Sequence, residues 1–255
     1  ETLKEIIDQN THLQISIIRN KLNVGGNNNI LRCLEYCETD YLWILGDDDI
    51  PRVDAIENIF NTIKKNPDSC FINFSNNGID RSSSFKTSGI NDFLLNGVDF
   101  LGQIIFISSC IYSAKKLKNS FTISYSWALT HAPQFILVLD YLRHHNDATC
   151  YISKKKIVDT SHQNTDNSLM SAPIYVAMFM PALLSLPIQQ SSRDILKIKI
   201  KELIYSWLKP RTIFLSLLKS AVERNKFIDH LYLYKEITRR LFYLEKNLFF
   251  RAEVF

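Results

Sequence analysis

The chain has 255 residues, 46% apolar and 22% charged, the composition of a globular protein with room for one large domain or two small ones. That balance excludes a disordered, collagen-like or disulfide-scaffold chain, and only seven Gly and seven Pro argue against a loop-rich all-β sandwich. Five cysteines, at 33, 37, 70, 110 and 150, form no CxxC pair; this points to reduced thiols in a cytosolic compartment. Residue 1 is Glu and no signal peptide is visible, so the chain reads as a piece of a longer reading frame. The net charge of +4 is uneven. Residues 191–255 hold 14 Lys/Arg against 7 Asp/Glu, and residues 1–190 hold 16 against 19.

Residues 2–9 (TLKEIIDQ) have helical spacing, with Leu3, Ile6 and Ile7 on one face. Residues 14–19 (QISIIR) read as a strand, 20–28 as a Gly/Asn loop, and 29–37 as a helix with Ile30, Leu31 and Leu34 inward. Residues 41–45 (YLWIL) form a short apolar run, the pattern of a strand buried on both faces. Gly46 to Asp49 end it. Pro51 then opens a helix with a stripe of Val53, Ile56, Ile59, Phe60 and Ile63, and a strand follows at 70–75. This alternation predicts an α/β fold with a mostly parallel, Rossmann-like sheet flanked by helices. In such sheets ligands sit beyond the C-terminal ends of the strands.

Residues 76–92 read as a mobile polar loop. A helix around 92–101, an apolar stretch at 104–112, a short basic helix at 113–119 and a helix near 133–145 follow. Two short strands are expected at 148–153 and 156–159, then a polar loop at 161–168 (SHQNTDNS). Beyond Pro173 only helices are expected, broken near Pro187 and Pro210. The uncharged stretch 172–188 is shorter than the ~20 residues a membrane span needs, and it holds three prolines. It reads as a broken, buried or interfacial helix. The chain therefore divides into an α/β domain, 1–170, and a basic helical region, 171–255. The basic residues of that region alternate with apolar ones at helical spacing, as on a solvated helix face or a membrane-surface helix.

Leu45-Gly46-Asp47-Asp48-Asp49 is the strongest chemical signal. Three adjacent carboxylates repel one another unless something cationic neutralises them. Hard oxygen ligands suit Mg²⁺ or Mn²⁺, which bind through one or two carboxylates plus substrate phosphates. The alternative is an Asp-rich helix start, favoured by capping and by the helix dipole. Upstream stands Asn20-x-x-Asn23-Val24-Gly25-Gly26-Asn27-Asn28-Asn29. Its Gly pair allows unusual backbone angles and close approach of a ligand, while its Asn side chains can cap a helix or bind a base or ribose. Cys33 and Cys37 have no partner His or Cys pair and read as buried small residues.

Together, residues 23–50 (NVGGNNNILRCLEYCETDYLWILGDDDI) resemble the middle of the nucleotide-sugar domain of family 2 glycosyltransferases, which have the GT-A fold. The likeness is closest to the bacterial branch that builds O-antigen and capsular polysaccharides, including abequosyltransferase-like enzymes. Asn23, Gly25, Asn29, Tyr41, Trp43, Asp48 and Asp49 match its pattern. Gly46 stands where many members carry the first acid of Asp-x-Asp-Asp. The likeness is close over 1–75 and looser over 76–170. Ahead of it the family has a strand, a helix and a second strand, roughly 30–40 residues, the size of one βαβ unit, which this chain is expected to lack.

The resemblance implies a metal-dependent, inverting glycosyltransferase. Asn23, Gly25, Asn29, Asp47 and Asp48 would bind the nucleoside diphosphate sugar. Asp49, with Asp48, would hold Mg²⁺ or Mn²⁺. Inverting transfer needs a general base near the acceptor hydroxyl. His131, just before Pro133, is the candidate, with Asp140 two helical turns on as its substitute. The alternative for His131 is a capping or partly buried side chain. His144 and His145 look like favourable charges at a helix C-terminus. His162, Asn164, Asp166 and Asn167 are candidates to close over a substrate, or form a plain surface loop. The acceptor would be a lipid-linked oligosaccharide on the way to a surface polysaccharide, and the enzyme cytoplasmic, peripheral on the inner face of the plasma membrane. A second class of reading is a truncated, non-catalytic remnant or a scaffold subunit of a polysaccharide assembly. Nucleic-acid binding through the basic helices fits poorly with a net charge of only +4.

Overall fold

The computed structural model describes residues 11–76, 81–97, 104–128, 132–160, 183–207 and 239, without the side chains of 160, 201 and 203–207. The expected helix at 2–9 lies outside them. Helix α1, Gly26–Glu35, starts on Gly25, whose φ of 78° is a conformation that favours glycine. The Asn23 side chain accepts a hydrogen bond from the Gly25 N–H at 3.0 Å and closes the preceding turn. Leu31 and Leu34 of α1 are buried. Strand β1 is Leu42–Trp43, β2 Asp49–Pro51, helix α2 Ala55–Lys65 and strand β3 Ser69–Ser75. Then come β4, Phe85–Ser88; α3, Gly89–Asp92, continued by a π-helical turn at Phe93–Gly97; and β5, Cys110–Tyr112, preceded by a 3₁₀ turn at Ile107–Ser109. Helices α4, Ala114–Leu117, α5, Phe121–Ser126, and α6, Pro133–His144, lead to β6, Thr149–Lys156, and β7, Val158–Thr160. Helix α7 is Gln190–Trp207.

The main sheet has the order β1-β5-β3-β6-β4. β3 and β6 pair parallel. β5 pairs antiparallel with both β1 and β3, and β4 antiparallel with β6. Three strands, β1, β3 and β6, thus run one way, as the α/β pattern predicts. β2 and β7 form a separate two-stranded ladder. β5 shows how the sheet is packed: Cys110 and Tyr112 face one core and Ile111 the other. Helix α6 is apolar nearly all round and buried from Pro133 to Asp140, as a helix inside a core must be. Leu186, Leu196 and Ile200 join the same core as α6, so the described part of the basic C-terminal region packs onto the α/β body.

Several expectations change. Residues 14–19 are described but form no strand, and Ile15, Ile17 and Ile18 are exposed. Residues 41–45 were expected to be buried on both faces. They contribute only the two residues of β1, half-buried at the edge of the sheet. The reason is the same for both: β5 covers one side of β1, and among the described residues no strand covers the other. Ile56 and Phe60 of the α2 stripe, expected inward, therefore stay exposed. They overlook a groove of about 400 Å³ shared with Tyr41, Trp43 and Ile63. Pro51 ends β2 instead of opening a helix, because residues 49–51 pair with β7 and α2 starts only at Ala55. The polar stretch 76–92 contains β4 and α3. Cys33 is exposed and Cys37 half-buried, since the α1 face that packs inward carries Leu31 and Leu34.

Arg81, inside that polar stretch, is buried. Its Nη1 donates to the Asn73 carbonyl at 3.0 Å and to the Ser153 carbonyl at 2.8 Å, and its Nη2 to the Asn73 side chain. One guanidinium thus fastens the C-terminal ends of β3 and β6. Burial pulls its pKa down to about 10, with the Cys110 thiol opposing, which leaves a cation at neutral pH. Arg81→Met should cost about 2–3 kcal/mol, because it leaves buried carbonyls without a charged donor. Arg81→Lys should recover only part, lacking the planar fork. Urea unfolding measures both.

Candidate active site

The strand directions bring the chemistry to one edge of the sheet. β1, β3 and β6 end there and β5 begins there. The acidic turn leaves β1 at this edge, Ser108 stands just ahead of β5, and β6 runs on through Ile157 into β7. The turn is closed by the Asp49 N–H donating to the Gly46 carbonyl at 3.3 Å. Its far side is stitched to β7: Asp49 stands opposite Thr160, the Arg52 N–H donates to the Ile157 carbonyl at 3.0 Å, and the Arg52 Nη1 meets the Asp159 carboxylate at 3.0 Å. That ion pair is exposed and adds little energy. The ladder itself holds Asp49 in place.

Over Gly46 the oxygens converge. A Cβ at position 46 would stand 3.0 Å from Asp49 Oδ2, 3.1 Å from Asp48 Oδ1 and 3.4 Å from Ser108 Oγ. The glycine thus leaves open a small cradle walled by two carboxylates and a hydroxyl. Partial burial, with Asp48 and Asp47 nearby, pushes the Asp49 pKa above the ordinary aspartate value, and a hydrogen bond from Ser108 opposes this. Asp47 and Asp48 are exposed. Among the described residues no three His, Cys, Asp or Glu side chains form a cage that could hold a metal ion. Two carboxylates with room left for phosphate and water still fit Mg²⁺ or Mn²⁺, which rarely use an all-protein cage.

The other predicted residues fall in two groups. Gly25 and Asn29 stand at the start of α1 and Asn23 just before it. Asn29 is engaged, its Oδ1 accepting from Asn20 Nδ2 at 2.5 Å. Neighbouring Asn27 and Asn28 donate to the Ala128 and Val24 carbonyls at 2.8 and 2.7 Å. His131 lies outside the described residues, as does the polar loop at 161–168. The helix that follows His131, α6, starts at the site edge: the Gln134 side chain donates to the Ile105 carbonyl, ahead of β5, at 3.2 Å. Asp140 has a different setting. α6 runs back to the start of β6, so Asp140 stands toward the opposite edge. It is buried there, held by Arg143 at 2.7 Å, with the exposed His144 3.8 Å away. It is not brought to the acidic turn. The sequence reading missed Ser108 and Arg81. Each sits in a local pattern, an apolar run or a polar loop, that carries no mark of its partners.

A mixed α/β sheet flanked by helices, with an acidic turn at the C-terminal edge, is consistent with the GT-A fold. Residues 1–120, just under half of the chain, match the family model described as Glycosyl transferase family 2. Over that stretch the chain is similar to family 2 glycosyltransferases. No curated protein matches the chain.

Two outcomes are expected at this site. Gly46→Ala fills the cradle and pushes both carboxylates aside, so any stabilisation by Mn²⁺ in a thermal melt should fall sharply while the metal-free melting temperature stays close to native. Asp49→Asn, without divalent cations, should raise the melting temperature at neutral pH. The raised folded-state pKa means that this carboxyl favours folding while protonated and loses that contribution as pH rises through it. The gap between variant and native chain should therefore close on acidification.

Proposed function

We propose that the chain is a metal-dependent, inverting glycosyltransferase that moves a sugar from a nucleoside diphosphate sugar to a hydroxyl of a bacterial surface polysaccharide precursor. The observation that carries this reading is the convergence of the Asp48 and Asp49 carboxylates over Gly46 at the strand edge. These two side chains would hold Mg²⁺ or Mn²⁺, and Asp48 would also reach the ribose or a metal-bound water. When bound, the cation neutralises charge on the diphosphate leaving group. Asn23, Gly25 and Asn29 would line the nucleoside side, with Asp47 beside them.

In the transfer, the acceptor oxygen bonds to the anomeric carbon from the face opposite the diphosphate. The bond from that carbon to the diphosphate oxygen breaks, and the nucleoside diphosphate leaves with the bonding pair. The acceptor proton passes to a base. The start of α6 at the site edge supports His131 for that role over Asp140, which is paired with Arg143. The basic surplus of residues 191–255 supports attachment to an anionic membrane surface near a lipid-linked acceptor. Among the described residues no helix is long and apolar enough to cross a membrane.

Among the described residues no strand pairs with the far side of β1, which favours a second reading, a non-catalytic scaffold subunit. A thermal-shift titration with UDP, CDP, GDP and dTDP, each with and without Mn²⁺, separates the two. One nucleotide should stabilise the native chain only with metal, and Asp49→Ala should abolish the shift. No shift with any of the four selects the scaffold.

A further inference from the structure

We propose that the far edge of β1 takes residues 13–19 of this chain as an added parallel strand. This goes beyond the catalytic reading and does not depend on it. Two parts of the structure are each incomplete. Residues 13–19 (LQISIIR) alternate as a strand does, with Leu13, Ile15 and Ile17 on one side of an extended chain and Gln14 and Ser16 on the other. They form no strand, and Leu13, Ile15, Ile17 and Ile18 are exposed, Ile17 by 59%. β1 pairs with β5 on one side and, among the described residues, with no strand on the other. Below that edge lies the groove of Tyr41, Trp43, Ile56, Phe60 and Ile63, where Phe60 is 68% exposed. Docking would pair the backbone of the edge and bury two apolar surfaces against each other.

Connectivity selects this occupant and its direction. Helix α1 lies between the segment and β1, and it is already fixed: Leu31 and Leu34 are buried, and the Asn27 side chain donates to the Ala128 carbonyl at 2.8 Å. Asn20 is tied to the first turn of α1 by its bond to Asn29, so residue 19 ends within reach of the helix start. Residues 20–25 and 36–41 join α1 to the two strands, each at the long end of the ~2–6 residues usual for such connections. A strand, a helix and a strand so joined lie parallel and are commonly neighbours. Only residues 13–19 need move. Charge agrees with the parallel sense. Arg19 and Lys21 are the only charged residues between 13 and 31, and a parallel strand carries them to the end of β1 that leads into Asp47, Asp48 and Asp49. An antiparallel strand would carry them away from that turn. Opposite charges at an exposed edge add little energy, but they discriminate between the two directions. The docked strand would lay the turn at residues 20–25 beside the acidic turn and join the two candidate segments of the site.

The test is amide hydrogen exchange on the full chain, read by mass spectrometry at two protein concentrations, with sedimentation to report the oligomeric state and β3 as the internal reference. In the native chain residues 13–19 should exchange about tenfold or more slower than an unstructured peptide of that sequence, equally at both concentrations. Ser16→Pro removes one strand N–H at an exposed position. It should return residues 13–19 to the unstructured rate and strip 41–45 of part of their protection, the amides bonded to β5 keeping theirs, while β3 stays as protected as in the native chain. Phe60→Ser, on the exposed side of α2, should speed exchange of 13–19 in the same direction without touching the segment itself. Exchange of 13–19 at the unstructured rate in the native chain overturns the proposal. So does Ser16→Pro with 41–45 unchanged, since β1 is then covered by something else. Protection that appears only at the higher concentration, together with a dimer, also overturns it and assigns the edge to a second copy. None of these outcomes bears on nucleotide or metal binding, so the catalytic reading stands or falls separately.

Discussion

The parallel pairing of β3 with β6 is the constraint on which the rest depends. Two parallel neighbours cannot be joined by a tight turn, so the chain between them must travel back across the sheet. That return carries β4, β5 and helices α3 to α6. It inserts β5 between β1 and β3 and lays the buried helix α6 against one face. The C-terminal ends of β1, β3 and β6 then share one edge, and whatever follows those strands is gathered there. The acidic turn is placed by this topology before any local interaction refines it.

Local interactions then settle a conflict of charge. Partial burial raises the cost of ionising Asp49, and the two carboxylates beside it add to that cost. The fold answers with a missing side chain at Gly46, a buried hydroxyl at Ser108 and a backbone ladder from Asp49 to β7. A comparable logic operates a few strands away. There the Arg81 guanidinium sits among the Asn73 and Ser153 carbonyls and joins β3 and β6 with one group. In both places a charge is kept where desolvation opposes it, because geometry supplies hydrogen bonds that water would otherwise make.

The open side of β1 follows from the same order of strands. An edge strand with unpaired backbone groups and apolar neighbours is one that proteins usually cover. Here Trp43 keeps its indole tied to Ser108, while Ile56 and Phe60 remain in water. Among the described residues the acidic turn is thus braced from the β5 side and from β7 but not from the far side of β1. This makes the brace from Ser108 more consequential than it would be inside a closed sheet.

What the sequence determined by itself is what depends on near neighbours. The α/β alternation, the helix after Gly25, the helix begun by Pro133 and the clustering of Asp47, Asp48 and Asp49 are all written in short-range spacing, turn chemistry and charge. Tertiary structure alone decided which side of β1 stays open, that Pro51 ends a strand, that Arg81 is buried, and that Ser108 reaches Gly46 across 62 positions of sequence. It also turned Asp140 toward the opposite edge from the acidic turn. The physical reason is that a strand or helix carries its own periodicity in its residues, whereas its neighbours, and so the partners of each buried polar group, are chosen by pairings between distant segments that leave no local trace.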